Sequence, residues 1–331
     1  MTFFIIMNSF HAFFYKNFLL FILLLINYAC SSNNNDVIKP VEENIIINEN
    51  QGSILNPNST GVFSFSIEGF ISNKTINVYY HIPNGDIKSM PILMTFHGGS
   101  RNANNYRDYW ISMANDSNFM VFAPEFNSLD FSSGDMYNLA NVFEDGDNPS
   151  KETLNEKEEW TFSILDPLFE YIKNEVSGTQ ETYNGWGHSA GSQFLHRFIL
   201  FMPDNKLNIA VCSNAGWYTV PESGINFPYG LDNSGISSTT IDLAFSKKLY
   251  IHLAELDTNP NAPSLRRNEM VDNQQGIERR ARGRYFYNVS KEITNNKQIE
   301  FNWIKTDEVL NVGHNASEMA QDAMRYLYPI D

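Results

Sequence analysis

A serine between two glycines has the clearest chemical potential in this chain. Gly187-His188-Ser189-Ala190-Gly191 forms a G-x-S-x-G pattern. A serine hydroxyl is a poor nucleophile until a base takes its proton and the backbone exposes its oxygen. Small residues two positions before and after the serine allow the sharp turn from strand to helix that exposes it. The pattern therefore predicts that Ser189 is a nucleophile, if other residues supply a base and an acid.

Two polar residues that follow apolar segments nearer the C-terminus are suited to those roles. His314 lies in Val312-Gly313-His314-Asn315, and Asp257 lies in Glu255-Leu256-Asp257-Thr258. An imidazole can accept the serine proton, while a carboxylate fixes the imidazole tautomer and stabilises its cation. The chain order serine, aspartate, histidine is also the order that accompanies a nucleophile on a strand-to-helix turn. We predict that Ser189 attacks, that His314 is the base and that Asp257 is the acid.

Other ionisable side chains compete for these roles. His188 is next to the serine, but its side chain leaves the turn beside the nucleophile and does not readily face it. Glu255 and Asp307 are the alternatives to Asp257, which is favoured because it follows the end of its strand, where a loop carboxylate can reach inward. His97 is expected to support a loop rather than to react. The histidines on strand or helix patterns are expected to be packed or on the surface: His81, His196 and His252.

Apolar segments of strand length alternate with segments of helical spacing along most of the chain. The predicted strands span 61–67, 76–83, 91–96, 119–124, 207–212, 249–254 and 299–304, with another beginning at Tyr183. The predicted helices span 160–175, 276–289 and 316–327, with a further helix leaving Ser189. This alternation predicts a mostly parallel sheet with helices on both faces. The reactive residues of such a sheet belong at the carboxyl ends of its strands, where the three candidates fall.

From about residue 61 to the C-terminus the chain resembles the α/β-hydrolase superfamily. Three motifs carry the resemblance: Phe96-His97-Gly98-Gly99 after the third strand, Gly187-His188-Ser189-Ala190-Gly191, and Gly313-His314 before the last helix. Within the superfamily it resembles the polyhydroxybutyrate-depolymerase-like and feruloyl-esterase-like branch. That finer resemblance rests on Glu255-Leu256-Asp257-Thr258-Asn259-Pro260-Asn261, on Gln275-Gly276, and on Arg279, Arg282 and Gly283.

The resemblance implies an α/β-hydrolase fold and hydrolysis of carboxylic esters, small or polymeric, through an acyl-enzyme without a cofactor. The backbone N–H of Ala190, next after the serine, is one expected donor to the oxyanion. The N–H of Gly99 is the second that the resemblance implies. A serine peptidase with the same three residues, or a binding protein that has lost catalysis, are the alternative functions.

Two aromatic residues and a group of arginines have both a functional and a structural interpretation. Trp217 and Tyr218 are candidates for substrate binding, but packing beneath a long loop together with Phe227 and Tyr229 explains them equally well. The arginines at 279, 280, 282 and 284 suggest an anion site, although a solvated face or pairing with the carboxylates of an acidic protein is the more common role of such a group.

Composition excludes two classes of partner. The formal charge of −15 argues against nucleic acid, because phosphate binding requires concentrated Lys and Arg. No cluster of Cys, His and carboxylate residues has the spacing of metal ligands, and no glycine-rich phosphate loop occurs. The sequence therefore predicts neither a metal nor a cofactor.

The N-terminus has the pattern of an export signal. Residues 18–26 form an apolar run that follows Lys16 and precedes Asn27-Tyr28-Ala29-Cys30. This run is short against the roughly 20 residues of a membrane-spanning helix, which makes an uncleaved anchor the weaker alternative. The pattern resembles a bacterial lipoprotein signal in which Cys30 is acylated. We expect a signal peptide at 1–29, a flexible tether at 30–60 and a hydrolase domain at 61–331, attached to the cell envelope by a lipid anchor, with secretion or a periplasmic location as the alternative.

Overall fold

The computed structural model describes residues 55–71 and 73–329. The expected signal peptide, Cys30 and most of the expected tether therefore lie outside the described residues. Within this part of the chain, none of the helices is long and apolar enough to cross a membrane. The fold already includes residues of the expected tether, since Leu55 is buried and the first strand begins at Ser59.

Eight strands form one sheet in the described part of the chain. They are β1 (Ser59–Phe65), β2 (Ile76–Ile82), β3 (Ile92–Phe96), β4 (Met120–Glu125), β5 (Tyr183–His188), β6 (Leu207–Ser213), β7 (Lys248–His252) and β8 (Trp303–Lys305). Their order across the sheet is β1-β2-β4-β3-β5-β6-β7-β8. The β1–β2 and β2–β4 pairs are antiparallel and the remaining pairs are parallel. The predicted mostly parallel sheet is confirmed.

Helices cover both faces of this sheet. They are α1 (Ala103–Asp108), α2 (Ile111–Ser117), α3 (Leu165–Glu175), α4 (Ala190–Phe201), α5 (Ser238–Ser246), α6 (Glu269–Gln275), α7 (Arg279–Lys297) and α8 (Ala316–Leu327). Alternate residues of the central strands point to opposite faces. Met94 of β3 accordingly belongs to the core beneath α3 to α7, while its neighbour Leu93 belongs to the core beneath α1, α2 and α8.

The third helix begins five residues later than its apolar spacing predicts. The helix is α3, and a short 3₁₀ turn at Thr161–Ile164 precedes it. Pro167 explains the difference, because a proline ring clashes with the carbonyl four residues earlier and is tolerated only in the first turn of a helix. Starting at Leu165 places Pro167 in that first turn.

The strand ends bring the predicted site residues to one edge of the sheet. His97 follows β3, Ser189 follows β5, Asp257 follows β7 and His314 follows β8. Two long segments without helices or extended strands, 126–156 and 214–237, lie between these elements. The carboxyl ends of the parallel strands therefore form the base of the site.

Candidate active site

Ser189 occupies the turn between β5 and α4 in a conformation that few residues adopt. Its φ is 58° and its ψ is −115°. Its N–H donates to the carbonyl of Ser213 on β6 at 3.0 Å, and its own carbonyl accepts the N–H of Gln193 at 3.1 Å. A backbone in such a sparsely populated region costs about 1–3 kcal/mol, which the surrounding structure must offset. These bonds to β6 and α4 hold the turn.

Each of the two glycines of the pentapeptide is required for a different steric reason. A Cβ on Gly191 would lie 2.0 Å from the carbonyl oxygen of Phe96, at the end of β3. A Cβ on Gly187 would lie 2.3 Å from the carbonyl oxygen of Gly191. Only glycine therefore lets α4 start so close to β3 and β5, which is the geometry that the motif predicts.

His314 and Asp257 are brought together by the loops after β8 and β7. Asp257 Oδ2 lies 2.6 Å from His314 Nδ1. The carboxylate is buried, whereas the imidazole keeps 29% of its side-chain surface exposed. The other oxygen, Asp257 Oδ1, accepts a hydrogen bond from Arg279 Nη1 at 3.2 Å. A buried carboxylate on Nδ1 leaves Nε2 as the nitrogen that can act as a base.

The structure separates Asp257 from its competitors. Glu255 Oε2 accepts the N–H of Asn311 at 2.8 Å. The hydrogen bonds of His314 in the described chain include neither Glu255 nor Asp307. Asp257 is thus the carboxylate in contact with the candidate base.

Ser189 and His314 line one open cavity of about 370 Å³. Its wall also includes Gly98, Gly99 and Tyr106. No hydrogen bond between Ser189 Oγ and His314 Nε2 occurs among the described residues. Catalytic hydrogen bonds are often long in an enzyme without substrate and tighten only in its complexes. The cavity nevertheless gives a ligand access to both side chains.

The two expected oxyanion donors are free to bind. Gly99 is exposed at the cavity, and a Cβ on it would meet nothing within 4 Å, whereas a Cβ on Gly98 would lie 2.9 Å from Tyr106 Oη. In the described chain, no turn, cap or side-chain hydrogen bond uses the N–H of Gly99 or that of Ala190. The N–H of Ala190 belongs to the first turn of α4, where helix geometry leaves N–H groups without partners.

His97 holds the loop that carries Gly99. Its Nδ1–H donates to the carbonyl of Gly98 at 3.0 Å, and its Nε2 accepts the N–H of Phe126 at 3.0 Å. Tyr137 Oη donates to the carbonyl of His97 at 2.6 Å. Burial lowers the pKa of His97 to about 3, so the ring is neutral at pH 7. The expectation that His97 supports this loop is confirmed.

His188 is a buried neighbour of the candidate base. Its ring centroid lies 4.4 Å from that of His314, and its Nδ1 lies 3.3 Å from Tyr106 Oη. Burial, and then the nearby His314, hold the pKa of His188 well below its usual value. His188 thus forms part of the support for the His314 ring.

The structure corrects the assignment of two aromatic residues to substrate binding. Trp217 is 3% exposed and its ring contacts two guanidinium groups, with Arg197 at 4.0 Å and Arg266 at 4.6 Å from its centroid. Tyr218 is fully buried and stacks on Phe286 at 4.5 Å. Neither side chain lines the cavity at Ser189, because the segment after β6 folds inward and packs both rings into the core.

A second serine, histidine and aspartate form a hydrogen-bonded row that no motif predicts. Ser213 Oγ lies 2.8 Å from His252 Nδ1, and His252 Nε2 lies 3.0 Å from Asp322 Oδ1. Trp186 Nε1 donates to Ser213 Oγ at 2.9 Å. Ser213 and His252 have no exposed surface, so a substrate cannot reach them. This buried row joins three strands to α8.

The arginines near the start of α7 pair with carboxylates. The pairs are Arg279 with Asp257, Arg280 with Glu308, Arg282 with Asp272, and Arg284 with Glu308. Pairing, rather than a site for a free anion, therefore accounts for these four side chains. The described residues also contain no group of histidine, cysteine and carboxylate side chains that could hold a metal ion.

Comparisons with known proteins assign the family. No protein-family model and no curated protein matches the chain. Among solved structures, poly(aspartic acid) hydrolase-1 from Sphingomonas sp. KT-1 is 32% identical, with a TM-score of 0.76; the match covers 83% of this chain and 100% of that chain. The chain belongs to the α/β-hydrolase superfamily. This hydrolase shares a family with the Sphingomonas enzyme, and the predicted resemblance to the depolymerase-like branch is confirmed.

More distant structures show the same fold. A poly(3-hydroxybutyrate) depolymerase from Bordetella parapertussis is 24% identical with a TM-score of 0.75, covering 81% of this chain and 89% of its own. An S-formylglutathione hydrolase from Agrobacterium tumefaciens is 13% identical with a TM-score of 0.54, covering 86% of this chain and 98% of its own. At these identities the likeness shows the fold alone, whereas the relative that is 32% identical identifies the chain as a serine hydrolase.

Proposed function

We propose that this hydrolase cleaves carboxylic esters through an acyl-enzyme formed on Ser189. The contact between His314 and Asp257 at 2.6 Å, at the rim of the cavity that Ser189 lines, is the observation that supports the proposal most strongly. A buried carboxylate on one nitrogen of a partly exposed imidazole prepares the other nitrogen to accept a proton.

The proposed reaction has two halves. Ser189 Oγ attacks the ester carbonyl while His314 Nε2 takes the serine proton, and the resulting oxyanion is stabilised by the N–H groups of Gly99 and Ala190. Collapse of this intermediate breaks the bond to the alcohol, which leaves with the proton from His314. Water then attacks the acyl-enzyme with His314 again as base, which releases the acid and restores Ser189.

The charge of the molecule favours an uncharged acyl group. Among the described residues, no Lys, Arg, Asp or Glu side chain lines the cavity at Ser189, and the chain carries a formal charge of −15. A negative surface repels a polyanion, and a neutral cavity has no fixed charge to offset the removal of a carboxylate from water. We therefore propose neutral esters, small or polymeric, as the substrate class.

Amide cleavage in an anionic polymer is the second candidate. It rests on the relative that is 32% identical, which is named for poly(aspartic acid), a polymer of amide-linked units with carboxylate side groups. The same three residues serve peptidases as well as esterases, so the nucleophile does not separate the two reactions.

Substrate comparison with a matched serine variant tests both candidates. We expect faster hydrolysis of p-nitrophenyl butyrate than of p-nitrophenyl hemisuccinate. The difference between the two rates should decrease at higher salt concentration, because salt screens the repulsion. Ser189→Ala should abolish both reactions, and also labelling by a fluorophosphonate, while its thermal unfolding stays close to that of the unchanged protein. Cleavage of poly(aspartic acid) without ester hydrolysis would favour the second candidate. An unlabelled, inactive but folded protein would favour the binding function.

We also propose that the hydrolase is exported and attached to the cell envelope through a lipid on Cys30. The proposal rests on the apolar run at 18–26 and the cysteine that follows it. The measurement is metabolic labelling with a fatty-acid probe in a bacterial host, with Cys30→Ser as the matched variant. Loss of both the label and membrane fractionation in that variant is expected; membrane fractionation that persists without Cys30 contradicts the lipid anchor.

A further inference from the structure

Arg279 contacts the one oxygen of the Asp257 carboxylate that does not face the base. Asp257 Oδ2 is 2.6 Å from His314 Nδ1, while Asp257 Oδ1 is 3.2 Å from Arg279 Nη1. Both partners of this ion pair are buried, with side-chain exposures of 4% and 3%. A carboxylate bound at both oxygens cannot rotate freely about its last side-chain bond, so the orientation of Asp257 depends on Arg279.

The backbone around Arg279 reinforces this arrangement. Arg279 is the first residue of α7, and the N–H of Arg280 donates to the carbonyl of Asp257 at 3.4 Å. The guanidinium of Arg280 also donates to the carbonyl of Glu255 at 2.7 Å. The start of a 19-residue helix therefore holds the short loop that carries Asp257.

We propose that Arg279 is a positioning residue of this hydrolase: it fixes the Asp257 carboxylate so that Oδ2 points at His314. It is not among the residues that line the cavity at Ser189, and it acts through Asp257. The inference rests on the proposed function, since it assigns Arg279 a role only if Asp257 and His314 form the acid and base of the reaction. A buried ion pair with a purely structural role would alter stability but would leave kcat of the folded protein unchanged.

The test compares three variants with the unchanged protein on p-nitrophenyl butyrate. Arg279→Met should lower kcat by about 10- to 100-fold with little change in KM, because misplacement of a catalytic group affects the reaction more than binding. Arg279→Lys keeps a cation beside Asp257, so it should restore part of kcat. Arg284 lies on the same helix as Arg279 and pairs with Glu308, and Arg284→Met should change kcat by no more than about twofold.

A double-mutant cycle shows whether Arg279 acts through Asp257. Asp257→Asn alone should lower kcat on the order of 10³- to 10⁴-fold. Adding Arg279→Met to that variant should change kcat by less than about threefold, because the side chain that Arg279 orients has already lost its charge. Arg279→Met alone leaves the buried Asp257 carboxylate without its ion-pair partner. Asp257→Asn removes that charge, which helps the double variant fold if Arg279→Met alone does not.

Two results would overturn the inference. One is a folded Arg279→Met variant with unchanged kcat. The other is a full additional loss of activity when Arg279→Met is combined with Asp257→Asn. If the unchanged protein itself hydrolyses no ester and takes no fluorophosphonate label, the proposed function fails instead.

Discussion

At the scale of single residues, burial distinguishes the two histidines that line the cavity with Ser189. The ring centroids of His188 and His314 lie 4.4 Å apart, but His188 is 3% exposed while the His314 side chain keeps 29% of its surface. Only His314 has a carboxylate on Nδ1. A base must exchange protons with a substrate and with water, so access and a partner matter more than proximity in sequence.

Replacing each of these histidines should distinguish the supporting role of His188 from the proposed catalytic role of His314. His188→Phe keeps a ring beneath His314, and we expect it to retain at least about a tenth of kcat. His314→Gln removes the base and should lower kcat on the order of 10³-fold or more. Steady-state kinetics on a p-nitrophenyl ester measures both. The assignment is wrong if His188→Phe proves as inactive as His314→Gln while both remain folded.

At the scale of elements, the position of α4 determines the geometry of the turn at Ser189. The helix starts so close to β3 that a Cβ on Gly191 would lie 2.0 Å from the carbonyl oxygen of Phe96. That oxygen belongs to a strand that the neighbouring strands hold in place, so the contact cannot relax as a side chain would. Moving α4 away would change the turn that exposes Ser189.

Gly191→Ala should therefore reduce activity and stability together. We expect a loss of roughly 2–4 kcal/mol in the free energy of unfolding, as for overpacking against backbone, and a fall in kcat of at least about tenfold. Ser192→Ala, one position later on the same helix, adds no atom and is the control. Urea unfolding and ester hydrolysis measure the two effects; a stable, fully active Gly191→Ala variant contradicts the steric argument.

Local sequence patterns predicted the helices and strands that carry the site, but they did not predict the contacts between those elements equally well. The pentapeptide, the apolar strands and α8 depend on short-range spacing, and the structure has α8 at its predicted bounds, Ala316–Leu327. The separate helix α6 and the role of Arg279 depend on residues far apart in sequence, so no local spacing marks them. Trp217 illustrates the same limit, because burial between two arginines is decided by tertiary packing.

At the scale of the whole molecule, four buried histidines link stability to pH. Burial is the main cause that lowers the pKa of each, to about 3 for His97 and below the usual value for His188, His196 and His252. Between pH 6.5 and the lowered value, the unfolded chain binds protons that the folded chain does not. The stabilisation of the folded protein that results from these lowered pKa values is complete above pH 6.5 and is lost as the pH falls.

The free energy of unfolding should consequently decrease from pH 7.5 to pH 5.5. Each buried histidine contributes up to about 1.4 kcal/mol per pH unit below its ordinary pKa. Urea unfolding at several pH values measures the slope of the free energy of unfolding against pH. His196→Gln should reduce that slope by the amount that corresponds to about one bound proton. A flat profile over this range would show that these rings protonate equally well in the folded protein.

The row of Ser213, His252 and Asp322 has a consequence for recognising active sites by shape. The described chain holds two sets of the same three residue types, each containing a histidine–aspartate contact of 3.0 Å or less. A template built from residue identities and that one distance would select both sets. Counting the serines that react with a stoichiometric probe should give one per chain. The two sets differ in solvent access and in the nitrogen that meets the aspartate, Nδ1 in His314 and Nε2 in His252, so a useful template must include both features.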